Sequence, residues 1–296
     1  MFGELIALLT AFLWSGTSFA FTEAAKRIGS LQLNVTRMML ALVFLSIIIF
    51  SFNFSLKLSS IQFYFLVASG FAGLVFGDTF LFKSFRLIGA RLGMLLMALV
   101  PAFSAVLAYL FLNEELSAVS ILGIVVTLTG IIIVVVEKNS FSKSIFQISK
   151  AGILFGIFGA IGQASGLVLA KNAFEISDIN GFVAAFIRLF SAVILILPVT
   201  LLLKRFKNPF KLFKKDVVAF KATITGTILG PVLGITFSLI AIANAKIGIA
   251  STLMSTMPVI MLPISRYYYK EKLSWRSIVG AIITVTGVAI LFLKWF

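Results

Sequence analysis

Cysteine and histidine are both missing from this 296-residue chain. Their absence excludes disulfides, thiol nucleophiles, imidazole general bases and the usual zinc sites. A Ser–His protease working inside a membrane is excluded with them. Acidic residues are scarce, 10 Asp and Glu against 25 Lys and Arg. Asp78 is the one carboxylate placed well inside an apolar run, whereas an intramembrane aspartyl protease needs two at depth. No GxxxxGK[ST] run occurs, so direct use of ATP through a phosphate-binding loop is not expected. The chain is therefore read as a non-enzyme that needs no cofactor and no metal.

What remains is apolar. Hydrophobic residues make up 60% of the chain and charged ones 12%, for a mean hydropathy of +1.14. A water-soluble domain of this length cannot hide so much apolar side chain, because its surface must face water; a bilayer solvates an apolar exterior. About 20 apolar residues cross the hydrocarbon core as a helix. Runs of that kind fall at 4–22, 34–52, 61–82, 92–112, 119–136, 151–170, 180–203, 222–243, 247–265 and 277–293. This predicts an all-α membrane protein of ten transmembrane helices, numbered here as spans 1 to 10. Span 1 does not read as a cleaved signal peptide, since it opens on Glu4 rather than on a basic segment.

The net charge of +15 could point to nucleic acid, but the basic residues fall between apolar runs and form no face with interleaved aromatics. Nucleic acid is not an expected partner; the lipid bilayer is. Assigned alternately, the loops collect 19 Lys and Arg on one side and 4 on the other, with Arg37 and Arg188 left inside spans. The positive-inside rule puts the crowded side in the cytoplasm and both termini outside a cytoplasmic membrane. The basic stretch from Lys204 to Lys221 is read as a solvated cytoplasmic face that also meets anionic headgroups.

The chain also repeats itself. A shift of 157 residues without a gap lays Gly77, Thr79 and Phe80 on Gly234, Thr236 and Phe237, and Leu96, Met97 and Pro101 on Leu253, Met254 and Pro258. Glu114, Leu116 and Ser117 fall on Glu271, Leu273 and Ser274, and Gly123, Thr127, Thr129 and Gly130 on Gly280, Thr284, Thr286 and Gly287. Apolar residues match by chance in such sequence; Pro, Glu and several Gly in register do not. The expected organisation is one five-helix half over 1–137, a cytoplasmic linker over 138–150 and a second half over 151–296. Five is odd, so the second half must lie inverted relative to the first. Inverted repeats are typical of alternating-access carriers, with a site near the midplane between them.

The run from Gly77 to Val134 resembles the half-repeat of EamA-type members of the drug/metabolite transporter superfamily. It has a small-residue third helix, a fourth helix with central Pro101, a turn carrying Glu114 and a Gly-containing fifth helix. Gly234 to Leu293 resembles a second copy. Trp14-Ser15-Gly16 and Arg37 match the usual WG and Arg positions of the family. In the second half Gln163 or a neighbour replaces the Trp, while Arg188 keeps the Arg. The resemblance implies a secondary transporter, and export of amino acids or related metabolites. It leaves open a carrier of drug cations or lipid-linked sugars, and a channel is the remaining rival. Selectivity rings need several equivalent repeats around one pore, which a single chain with inverted halves does not supply.

Several residues are candidates to touch a small-molecule substrate. A charge inside a span is costly and by default functional, which singles out Arg37, Arg188 and Asp78. The plainer readings are that Arg37, within two turns of the cytoplasmic end, snorkels, and that Asp78 pairs with Lys83 or Arg86. A guanidinium at depth would suit a carboxylate or phosphate. Trp14 and Ser18 of span 1 and Gln163 of span 6 fit a pocket wall of aromatic and hydrogen-bonding groups. Thr17, Ser15 and Ser165 fit close helix packing as well, and Gly16, Gly123, Gly130, Gly280 and Gly287 fit it best. Glu114 and Glu271 read as helix-end residues, and the 32 Phe mostly as lipid-facing bulk. Pro101 and Pro258 deprive the carbonyls of Met97 and Met254 of their helical N–H partners, so spans 4 and 9 are expected to kink around a cavity and gate it. Met97, Met254 and Ser255 then belong to its wall. The oligomeric state stays open, a monomer being sufficient.

Because the chain lacks cysteine, topology is testable cleanly. Single cysteines at Ser142 and Asn208 should escape an impermeant maleimide in intact cells and react after lysis. Labelling of both from outside would invert the assigned orientation.

Overall fold

Without water to satisfy them, backbone N–H and C=O groups in hydrocarbon must pair within their own segment, and helices are the simplest way to do so. The computed structural model describes residues 2–112, 117–140, 149–244, 250, 253–268 and 273–291, and every element among them is helical. In order these are α1 (Phe2–Ile28), α2 (Ser30–Ser51), α3 (Ser60–Ser69), a π-helical segment π1 (Gly70–Gly77), α4 (Asp78–Met97), α5 (Val100–Leu112), α6 (Ala118–Ser140), α7 (Lys150–Ile176) and α8 (Gly181–Leu202). There follow α9 (Pro209–Lys215), α10 (Val217–Thr227), a second π-helical segment π2 (Ile228–Gly234), α11 (Ile235–Asn244), and helices Met257–Tyr268 and Trp275–Leu291. Glu114, Glu271 and most of the expected 138–150 linker lie outside the described residues.

Seven helical stretches among the described residues are long and apolar enough to cross a bilayer. The chain is a multi-pass, all-α membrane protein. Helix is present at each of the ten expected positions, but not as ten uninterrupted spans. Spans 3 and 4 fall within Ser60–Met97 and are divided at Gly89, whose φ of 82° and ψ of 167° are non-helical, so one helix ends there and another begins. Gly29, with φ 88°, is the single residue between α1 and α2. Arg91, read from sequence as a loop charge, is buried at the start of the span-4 helix. Spans 4 and 9 are broken outright: residues 98–99 and 255–256 form turns, after which Val100 and Met257 restart a helix. The expectation of a mid-helix kink is thereby corrected. Pro101 and Pro258 each sit at the second position of the new helix, where no intrahelical N–H bond is required of them.

The outward surface is apolar, with Phe12, Ile47, Ile132, Ile194 and Leu201 all more than half exposed, as lipid contact requires. Inside, the two halves of the sequence interleave. α1 packs on α10, π2 and α11, while α7 packs on α3, π1 and α4. α2 packs on α8, and α6 on the last helix. The contacts are close because glycines face each other: a Cβ on Gly162 would lie 2.6 Å from the Gly77 Cα, and one on Gly166 2.9 Å from the Gly73 Cα. On the other side, a Cβ on Gly234 would lie 2.6 Å from Trp14 Nε1. Gly130 and Gly287 similarly admit Thr284 and Thr127, which supports the packing role expected of them. Ends are fastened by polar groups. Asp216 accepts the Ala219 N–H at 2.9 Å and binds Arg27 at 3.2 Å. Those two interactions hold its carboxyl below the usual range.

A methyl group at Gly162 meets backbone that cannot give, whereas one at Gly16 meets only the Leu229 side chain at 3.5 Å. Gly162→Ala should therefore destabilise the protein by about 1–3 kcal/mol, read as a lower melting temperature in detergent, and Gly16→Ala should leave it nearly unchanged. Equal melting temperatures for the two variants would show that the α7–π1 contact is not close-packed.

Candidate substrate cavity

The interleaved helices leave a cavity of mixed polar and apolar lining, about 140 Å³ in volume. From α1 it takes Trp14, Thr17, Ser18 and Phe21; from π1 and α4, Leu74, Asp78, Leu81, Phe82 and Phe85. Met94, Met97, Val100 and Pro101 flank the first helix break, and Met254, Ser255 and Met257 flank the second. α7 adds Gln163 and Leu167, α8 adds Arg188, and the π2–α11 stretch adds Gly230, Pro231, Ile235 and Ser238. Trp14, Ser18, Arg37, Asp78, Met97, Pro101, Gln163, Arg188, Met254 and Ser255, all singled out from sequence, thus share one cavity. Pro258 is buried but does not line it. Ser15 and Ser165 also stay out, their hydroxyls bonding the carbonyls of Ala11 and Ile161 four residues back in their own helices.

The centre of the site is an ion pair between Arg37 and Asp78, both buried. Neither plain reading from sequence survives. Arg37 does not snorkel, being 3% exposed, and Asp78 turns to Arg37 rather than to Lys83 or Arg86. The Lys83 ammonium instead lies over the rings of Phe80 and Phe155, at 4.9 and 5.2 Å. Further bonds hold the pair in place. Arg37 donates to Asn34 Oδ1 through Nε at 3.1 Å and Nη2 at 3.0 Å, and its guanidinium lies 4.7 Å from the Phe82 ring centroid. Asn34 in turn donates to the Leu74 carbonyl at 3.1 Å and Thr79 Oγ1 at 2.9 Å. The other Asp78 oxygen accepts from Gln163 Nε2 at 2.6 Å, and Gln163 also donates to the Gly73 carbonyl at 3.1 Å. Burying two charges is stabilising only when such extra bonds complete their shells.

Arg188 differs. It is 5% exposed, yet no ion pair or hydrogen bond holds its guanidinium among the described residues, and its Nε is a buried donor without a partner.

Sequence reasoning missed the π-helical segments and the aromatic wall. π-helix is rare and tends to occur at functional sites. Here the two segments end on Gly77 and Gly234, the residues paired by the 157-residue shift. The Asp78 N–H bonds the Gly73 carbonyl and the Ile235 N–H bonds the Gly230 carbonyl, the same bond at the same offset. Phe21, Phe82 and Phe85 had been grouped with the lipid-facing phenylalanines; all three are buried and line the cavity. The i, i+3 spacing of Phe82 and Phe85 behind Asp78 was the available signal.

Comparison with known proteins agrees with this picture. The profile of the EamA-like transporter family matches residues 1–136 and again 150–293. A protein of Bacillus subtilis (strain 168) described as the uncharacterized transporter YxxF is 26% identical over 132 residues. That stretch is 45% of this chain and 40% of the relative, so the match spans less than half of either protein. A solved crystal structure superposes with a TM-score of 0.70 over 99% of this chain and 96% of that one, at 15% identity. At that identity the likeness speaks for the fold alone.

Removing one member of the Arg37–Asp78 pair should cost more than removing both. Asp78→Leu leaves a buried guanidinium without its counter-ion and should lower stability by about 3–5 kcal/mol. The double variant Arg37→Leu/Asp78→Leu should recover much of that loss in a melting experiment in detergent. Additive losses across the cycle would mean the two side chains do not act as a pair.

Proposed function

This chain belongs to the EamA-like transporter family, and from that premise we propose that it is a secondary transporter carrying small polar or amphipathic metabolites, amino acids among them, across the cytoplasmic membrane by alternating access. The observation that carries the reading is the cavity itself. It is lined mostly by buried side chains, walled by aromatic and thioether groups, furnished with a few charged and hydrogen-bonding groups, and bounded by two broken helices at repeat-paired positions. Interrupted backbone at membrane depth is tolerated where it lines a cavity, and carriers build substrate sites from discontinuous helices between repeats. The turns at 98–99 and 255–256, each followed by a proline, are natural joints. Around them the paired half-helices can tilt while Met97 and Met254 adapt their shape. In this reading 1–137 and 151–296 are the inverted halves, the basic loops face the cytoplasm, and both termini face outward. Export as the direction, and amino acids as cargo, are supported by the family likeness.

A carrier and a channel differ in counterflow. Proteoliposomes loaded with an unlabelled amino-acid mixture and diluted into trace labelled amino acids should accumulate label transiently above equilibrium, without nucleotide. Simple equilibration without overshoot would favour a channel, and no uptake beyond protein-free vesicles would remove amino acids as cargo.

A further inference from the structure

Arg37 and Arg188 occupy equivalent places: each is the eighth residue of a 22-residue helix, α2 and α8. Their surroundings are not equivalent. Asp78 follows π1 and answers Arg37; the residue that follows π2, held by the same backbone bond, is Ile235. Three residues before Arg37 stands Asn34, which accepts two of its donors; three before Arg188 stands Ala185. Thr79 receives a hydrogen bond from Asn34; its counterpart Thr236 has a buried hydroxyl with no partner. One half thus contains a complete set of guanidinium, carboxylate and amide. The other keeps the guanidinium, buried and facing the cavity; Asp78 acts on it only through its field, and no hydrogen bond or ion pair completes it among the described residues.

We infer that the transported molecule carries a carboxylate, which binds Arg188 in the place that Asp78 fills for Arg37. The inference rests on the transporter reading and narrows its cargo. A planar carboxylate matches the guanidinium fork and can take two parallel hydrogen bonds from it. The one acidic group in the cavity is already bound by Arg37 and Gln163, so the described lining carries one positive charge in excess. That balance favours a single negative charge on the ligand and disfavours an organic cation. The body of the ligand meets Trp14, Phe82, Met97 and Met254, which suits an aromatic or branched aliphatic group.

The test compares four compounds with one phenyl body: phenylacetate, phenylalanine, phenylacetamide and 2-phenylethylamine. Purified full-length protein is melted in detergent with each of them; ligands of the native state raise the melting temperature by mass action. Phenylacetate or phenylalanine should stabilise the protein, and the amide and amine should not. Arg188→Gln should weaken that binding by about tenfold or more, while Arg188→Lys keeps part of it. Ile235→Asp supplies the missing carboxylate from within. It should raise the melting temperature of the ligand-free protein, abolish the response to phenylacetate, and lose its stabilising effect when combined with Arg188→Gln. Stabilisation by the amide or amine as strong as by the acids, undiminished affinity in Arg188→Gln, or no response to either acid would overturn the inference. Carboxylate binding without counterflow in proteoliposomes would leave this site standing and remove the transporter reading. Counterflow of the amine would do the reverse.

Discussion

A charge buried in a membrane bundle is costly unless a partner within the bundle or a cavity that admits water or ligand answers it. The Arg37–Asp78 pair meets this requirement, and much of the central architecture follows from it. Holding a guanidinium at depth needs acceptors on several sides, so Asn34 is drawn to Arg37 and Gln163 to Asp78. Asn34 and Gln163 are themselves tied to the Leu74 and Gly73 carbonyls of π1. A π-helical turn shifts the backbone pairing by one residue. Where it passes through Gly73 and Gly77, it lets α7 approach closely enough for Gln163 to reach the carboxylate. Charge, helix type and glycine placement are in this sense one arrangement.

The second half keeps the backbone of that arrangement and changes the chemistry. π2 ends on Gly234 as π1 ends on Gly77, and α1 lies on π2 as α7 lies on π1. The groups at corresponding places differ: Trp14 faces Gly234 where Gln163 faces Gly77, Ile235 replaces Asp78, and Ala185 replaces Asn34. The repeated geometry makes two comparable positions in the wall of the same cavity, and only one is completed by the protein's own side chains.

Much of this was readable from the residues, and what was not has a physical cause. Apolar run length located helical segments that can lie in a bilayer, because the bilayer sets the length needed, but it did not show where a run is broken, as at 98–99 and 255–256. The ungapped shift paired Gly77 with Gly234 and Pro101 with Pro258; a π-helical segment ends on each of those glycines, and a helix restarts just before each of those prolines. Arg188 and Asp78 stood out because charge in an apolar run is expensive. The partner of Asp78 was misjudged because Lys83 and Arg86 are near in sequence, whereas Arg37 comes from another helix through tertiary packing. The π segments left only an indirect trace, the glycines of Gly70–Gly77 and the Gly230-Pro231 step of Ile228–Gly234, because small residues also serve ordinary helix packing. The breaks at 98–99 and 255–256 were half legible. The prolines marked where a helix could not continue, but whether it bends or stops depends on what surrounds it.

The unequal completion of the two arginine positions also bears on how a cargo could be both held and released. In the proposed cycle the Arg37–Asp78 pair need not change, since all its bonds are to groups already in place. There Arg188 accepts a carboxylate without breaking a hydrogen bond to the protein, so the charge-assisted bonds it makes replace hydration alone. In the closed cavity those bonds act across a poorly screening medium. When the helices part on either side, water reaches the guanidinium, competes for its donors and screens its charge. The same contact that holds a carboxylate in the occluded state then lets it go in the open one. In the proposed cycle, access to water supplies that difference in affinity.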